Sequence, residues 1–150
     1  MYRILFICHG NICRSPMAEF VMKRIVSETG RVSEFEIDSA ATSTEEAGND
    51  MYPAAKRCLA AHGVPFSPRS ARRITRSDYG HYDIIRCMDR DNLRGLRHIW
   101  GDGPLPKVSL LLDRDVDDPW YTGDFETAYR DIRRGCEALL RELSGPSDKS

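Results

Sequence analysis

No apolar run in this chain of 150 residues approaches the roughly 20 that a helix needs to cross a bilayer. The short run Ile4-Leu5-Phe6-Ile7 is too brief for the core of a signal peptide and ends at Cys-His-Gly. A cytoplasmic protein with no membrane span is the expectation. An excess of charge is also missing: 22 Lys and Arg stand against 23 Asp and Glu, a formal net charge of -1. That balance gives no electrostatic reason to expect nucleic acid or an anionic membrane as partner, so any attraction for anions must be local. The five cysteines, Cys8, Cys13, Cys58, Cys87 and Cys136, are odd in number and scattered, with no pair of CxxC units. This argues against a disulfide framework or a closed structural zinc site and suits a reducing compartment. Internal repeats, low-complexity segments and linkers are absent as well. With 41% hydrophobic residues, one globular domain over 1–150 is expected, with 145–150 a frayed tail.

What is present alternates between two periodicities. Arg3 to Cys8 reads as a buried strand, and Ser15-Pro16 as the start of a helix that runs to about Glu28. Phe35 to Ala40, Tyr82 to Met88 and Lys107 to Leu112 are the further candidate strands. Helices are expected over Tyr52 to His62, over Asp89 to Leu96 with the acid as cap, and over Phe125 to Leu143. The polar stretches Ala41 to Asp50 and Asp113 to Asp124 read as loops. The implied architecture is α/β, a parallel sheet with helices on both faces, whose ligands bind beyond the C-terminal ends of the strands. Cys8 falls at such an end.

Between Cys8 and Ser15 the sequence is Cys-His-Gly-Asn-Ile-Cys-Arg-Ser, a strand-to-helix turn. Successive backbone N–H groups there can curl round an anion, with the positive end of the helix behind them. Gly10 and Asn11 supply backbone freedom, and Arg14 a planar fork that fits two phosphate oxygens. Cys8, beside the helix start and an arginine, is expected to be a ready thiolate nucleophile, and the Ser15 hydroxyl is placed to stabilise its sulfur. His9, Ile12 and Cys13 complete the lining of this phosphate-binding loop. The chemistry needs no cofactor and no metal.

Ile7 to Pro16 resembles the signature of the low-molecular-weight protein tyrosine phosphatases. The resemblance continues through Asp38-Ser39-Ala40-Ala41-Thr42-Ser43, Ala71-Arg72-Arg73-Ile74-Thr75, Cys87-Met88-Asp89 and Asp118-Pro119-Trp120-Tyr121. It implies a four-stranded parallel sheet and hydrolysis of phosphotyrosine through a cysteinyl-phosphate. A proton donor is also needed, and the acidic loop offers Asp113, Asp115, Asp117 and Asp118. Pro119 modestly favours Asp118 by restricting its backbone; the resemblance selects it as general acid, with Trp120 and Tyr121 lining the cleft. Asp113-x-Asp115-x-Asp117 starts like a calcium loop, but Asp118 stands where the turn glycine belongs and the bidentate Glu is missing.

Ser39 is expected to support the loop from behind. Arg69 stands where many relatives carry a supporting His, and Glu45 where many carry an aromatic. His62, His81 and His98 read as structural. Arsenate reductase is a rival on the same loop, but its relay needs further cysteines; Cys87 matches the first, while Arg94 occupies the place of the second. Protein arginine phosphatase is a second rival, disfavoured because Ile12 is bulkier than the Thr such relatives carry. A non-catalytic phosphotyrosine-binding module is the third. Expected partners are phosphotyrosine-containing proteins and a tyrosine kinase, with the chain acting as a monomer. Oxidation of Cys8, trapped by Cys13 as a disulfide, is expected to act as a redox brake.

Overall fold

The apolar run near the start forms β1 (Tyr2–Cys8), whose last five residues are fully buried. A computed structural model describes residues 1–144, so the tail expected to fray lies outside the described residues. The chain continues through α1 (Arg14–Glu28), β2 (Phe35–Ala41), α2 (Pro53–Ala61), α3 (Arg76–His81) and β3 (Ile84–Cys87). It ends with α4 (Arg90–Trp100), β4 (Val108–Leu110), α5 (Pro119–Thr122) and α6 (Phe125–Ser144). The four strands form one sheet in the order β2-β1-β3-β4, with every neighbouring pair parallel.

Side chains alternate across a strand, so β1 serves two cores at once. Ile4, Phe6 and Cys8 face a core built with Met17 and Val21 of α1, Leu59 of α2 and Ile132 of α6. Leu5 and Ile7 face the other, with Ile74, Tyr82 and Leu96 of α4. Helices therefore cover both faces, as the alternating pattern implied. Truncating Phe6 to Ala in this setting costs about 3–5 kcal/mol.

Local chemistry moves several boundaries. α3 was not foreseen: it is a short helix set by a capping box between Thr75 and Asp78. α4 runs on to Trp100, where Gly101 at φ 100 ends it. β4, on the sheet edge, pairs over only three residues. The acidic segment is not wholly a loop, since Pro119 starts the single turn of α5 and Gly123 at φ 73 stops it.

Candidate active site

β1 ends at Cys8 and α1 begins at Arg14, so the chain must reverse within five residues. Asn11 makes the turn in the left-handed region, at φ 60. Gly10 contributes differently from the expectation. Its backbone is not left-handed; a side chain there would sit 3.3 Å from Cγ of Glu46, so it allows a close approach. No side chain caps α1, for the N-cap is Cys13, and Ser15 turns away from capping to serve Cys8. The Cys8 sulfur receives the backbone N–H of Asn11 at 3.3 Å and of Ser15 at 3.4 Å, with the Ser15 hydroxyl at 3.0 Å.

The direction of that last hydrogen bond follows from the groups behind it. The Asn11 carbonyl oxygen accepts from the Arg69 guanidinium and, at 3.2 Å, from the backbone N–H of Arg72. Its amide nitrogen therefore faces the other way and donates to Oγ of Ser15 at 2.8 Å and of Ser39 at 2.9 Å. Ser39 donates its hydroxyl hydrogen bond to Glu19 at 2.7 Å, and Lys23 donates to the other Glu19 oxygen at 2.6 Å. With Ser15 already accepting, its hydroxyl hydrogen is left to point at the Cys8 sulfur. Three N–H or O–H dipoles thus converge on the Cys8 sulfur in this buried corner.

Arg14 is 2% exposed and held at three points. Its Nη1 donates to Asp89 Oδ2 at 2.6 Å and to the Val116 carbonyl at 2.8 Å, and its Nη2 reaches Asp118 Oδ2 at 3.4 Å. Burial disfavours its charge, but Cys8, Asp118 and Asp89 outweigh burial and hold its pKa above the ordinary arginine value. Asp118 is partly open to solvent, and its other oxygen caps α5 through the Trp120 N–H at 3.0 Å. Arg14 and Asp118, 104 positions apart in the chain, are thereby closed into one site.

A cleft of about 530 Å³, including its open mouth, is lined by Cys8, Gly10, Ile12, Cys13, Arg14 and Asp118, with Trp120 and Tyr121 along one side. Trp120 packs edge-on against Tyr52 at 4.9 Å, and Tyr52 stacks on Phe125. His9, Glu45 and Glu46 form an acidic rim, where His9 Nε2 meets Glu45 at 2.9 Å. Burial, then the charges of Cys8 and Asp118, push the Cys13 thiol up to about 12.

Every residue expected at the site is at this end of the sheet, but not all in the same capacity. Asn11, Ser15 and Ser39 lie behind the cleft wall, and the first two face the sulfur through backbone N–H or hydroxyl groups. Three contributors escaped the sequence reading. Asp89 was seen only as a helix cap; one oxygen does cap α4 through Asn92, while the other holds Arg14. Glu19 fell inside the stretch read as the first helix and drew no reading of its own, and Tyr52 stood as the start of the second. No short-range signal marks any of the three. Arg69, the departure noted at the supporting position, binds Asn11 and so keeps the network closed. His62 pairs with Glu126 and His81 with Glu36, away from the cleft.

With this geometry in view, comparison with known proteins is informative. The family description "Low molecular weight phosphotyrosine protein phosphatase" matches residues 3–148. A protein of that name from Pongo abelii is 40% identical over 149 residues, covering 93% of this chain and 94% of that one. The crystal structure of YfkJ from Bacillus subtilis superimposes with a TM-score of 0.92 at 34% identity, covering 100% of this chain and 98% of the other. A Drosophila arginine phosphatase, DARP, has a TM-score of 0.85 at 29% identity over 95% of this chain and 98% of its own. Strand order, loop and matched length agree: the chain belongs to the low molecular weight phosphotyrosine protein phosphatase family.

Proposed function

We propose that this chain, as one catalytic domain, hydrolyses phosphotyrosine in proteins, with Cys8 as nucleophile, Arg14 as phosphoryl clamp and Asp118 as acid and base. The observation that carries the reading is the fixed orientation of Asn11, which commits the Ser15 hydroxyl proton to the Cys8 sulfur. The thiolate attacks phosphorus as the aryl oxygen departs with the proton of Asp118, and a cysteinyl-phosphate forms. Water then attacks phosphorus while the Asp118 carboxylate takes its proton. The P–S bond breaks, inorganic phosphate leaves, and the Ser15 hydroxyl stabilises the returning thiolate. Loop N–H groups and Arg14 hold the three equatorial oxygens through both steps. Trp120 and Tyr121 supply apolar walls for a phenyl ring, with Ile12 on the floor.

The acidic rim of Glu45 and Glu46 favours phosphotyrosine flanked by basic residues. The same rim suits a phosphorylated guanidine group, which is the one observation on the side of the arginine reading. Measuring kcat/KM on phosphotyrosine, phosphoarginine and arsenate side by side separates these. A preference for phosphotyrosine, lost in Cys8→Ser, is expected; no tyrosine preference would sink the substrate assignment, and anion binding without turnover would make the chain a binding module. The setting fits a cytoplasmic monomer that opposes a tyrosine kinase. Peroxide would convert the Cys8 thiolate to a sulfenic acid, and the Cys13 thiol would displace water from it to give a disulfide. Because Cys13 ionises reluctantly, that second step is expected to be slow at neutral pH.

A further inference from the structure

A second cluster of chemically capable side chains lies between α2 and α6, outside the lining of the cleft. Cys58 and His62 are four residues apart, one at the last turn of α2 and one at its C-cap, so both face the same way. Glu126, in the first turn of α6, faces them. The His62 Nε2 lies 2.8 and 3.0 Å from the two Glu126 oxygens, and the Cys58 sulfur lies 3.3 Å from one of them. The sulfur, the ring nitrogen and a carboxylate oxygen all lie within 4.8 Å of one another, the sole such grouping of three among the described residues. The imidazole is steadied by stacking on Tyr129, with centroids 3.9 Å apart and planes inclined by 10°. Cys58 is buried, while His62 and Glu126 are 32% and 56% exposed, so a solute can approach from one side.

We propose that Cys58 Sγ, His62 Nε2 and the Glu126 carboxylate form a binding site for Zn²⁺, separate from the phosphate loop. One sulfur, one imidazole and one carboxylate match a borderline-soft ion rather than Ca²⁺ or Mg²⁺, which take oxygen donors. Around an ion bound at about 2.0–2.3 Å, tetrahedral ligand atoms stand roughly 3.3–3.8 Å apart. The sulfur–oxygen spacing already fits; the nitrogen and oxygen need to part by only a few tenths of an ångström, which a half-exposed Glu side chain allows. Binding exchanges the Cys58 thiol proton for the metal and releases it to water, with no change of oxidation state. The fourth position, on the open side, is left for water.

The place of the site gives it a consequence. Phe125, adjacent to Glu126, stacks on Tyr52, which in turn supports Trp120 in the cleft. An ion that ties α2 to α6 would stiffen that wall without touching the nucleophile. Nothing in the linear sequence marks the cluster, because His62 and Glu126 are 64 residues apart.

The test uses reduced, metal-free Cys8→Ser protein, which removes the competing thiolate of the cleft. Titration with Co²⁺ should give one equivalent of binding with thiolate-to-cobalt absorption in the near ultraviolet, and Zn²⁺ should abolish that band. Zn²⁺ should raise Tm in this protein. Adding His62→Ala or Glu126→Gln should weaken Zn²⁺ binding at least about tenfold, and Cys58→Ser should remove the absorption band. Glu126→Gln, at a half-exposed position, guards against misfolding as the explanation. Absence of the band, or affinity unmoved by all three substitutions, overturns the site. Neither result depends on whether the phosphate loop turns over phosphotyrosine.

Discussion

The two halves of the cleft are built to different standards. The phosphate loop is buried, and its central residue, Asn11, is gripped by hydrogen bonds to residues 15, 39, 69 and 72. The facing half, Asp118 to Thr122, is one turn of helix whose aromatic residues stand largely in solvent, Trp120 52% and Tyr121 84% exposed. A phosphoryl group is the same in every substrate, so its cradle gains from rigidity. The leaving group and the surrounding protein differ between substrates, so the other half gains from being adjustable.

Substitutions can break this contrast. Asp118→Asn should lower kcat by about 10²–10⁴-fold with little change in Tm, since Asn caps a helix as well as Asp. Stopped-flow and thermal melts together check it, and retention of full activity would refute the role of Asp118. Asn11→Ala should lower kcat by about 10²-fold and also cost roughly 2–4 kcal/mol of stability. It leaves buried partners unmatched and forces a left-handed backbone on Ala; an unchanged melt would show the loop to be less constrained than its bonds suggest.

A subtler effect concerns Asp78, which pairs with Arg72, whose own N–H supports Asn11. Burial alone would raise the Asp78 pKa, but the bonds from Arg72 and Thr75 outweigh it and hold it below the ordinary aspartate value of 3.8. With the folded pKa below the unfolded one, the stabilisation is complete above about pH 4 and fades as pH falls through the lower value. Asp78→Asn should therefore cost about 1–2 kcal/mol at neutral pH and flatten the acid limb of a stability–pH curve. A parallel downward shift across all pH values would contradict this. Least affected should be Trp120→Ala, with KM for aryl phosphates raised about threefold to tenfold and Tm unchanged. A fall in Tm would mean the wall is part of the core.

The same contrast decided what could be read from the sequence. Cys8, Arg14 and Ser15 share one strand-to-helix turn, so their chemistry is written within eight residues, and the sheet followed from alternating periodicities. Asp118 was favoured only modestly by Pro119 and needed family resemblance to be selected, for four acids compete in that segment and the fold brings this one to Arg14. Asp89 was seen but in half its work, since capping and clamping use different oxygens of one carboxylate. Glu19 and Tyr52 act across elements, through contacts that no local periodicity encodes. Where Arg69 replaces an expected His, the sequence raised a doubt about the network that only the bond to Asn11 answers.

The central place of β1 in the sheet also bears on how the protein comes into being. Cys8 is made well before β3, one of the strands that flank its own, which is not complete until residue 87. The partners of Arg14 follow at residues 89, 116 and 118. A nascent chain thus carries Cys8, the proposed nucleophile, as far as residue 118 before the last of these groups is made. The proposed chemistry can begin only after residue 118 has emerged, so an unfinished site stays idle.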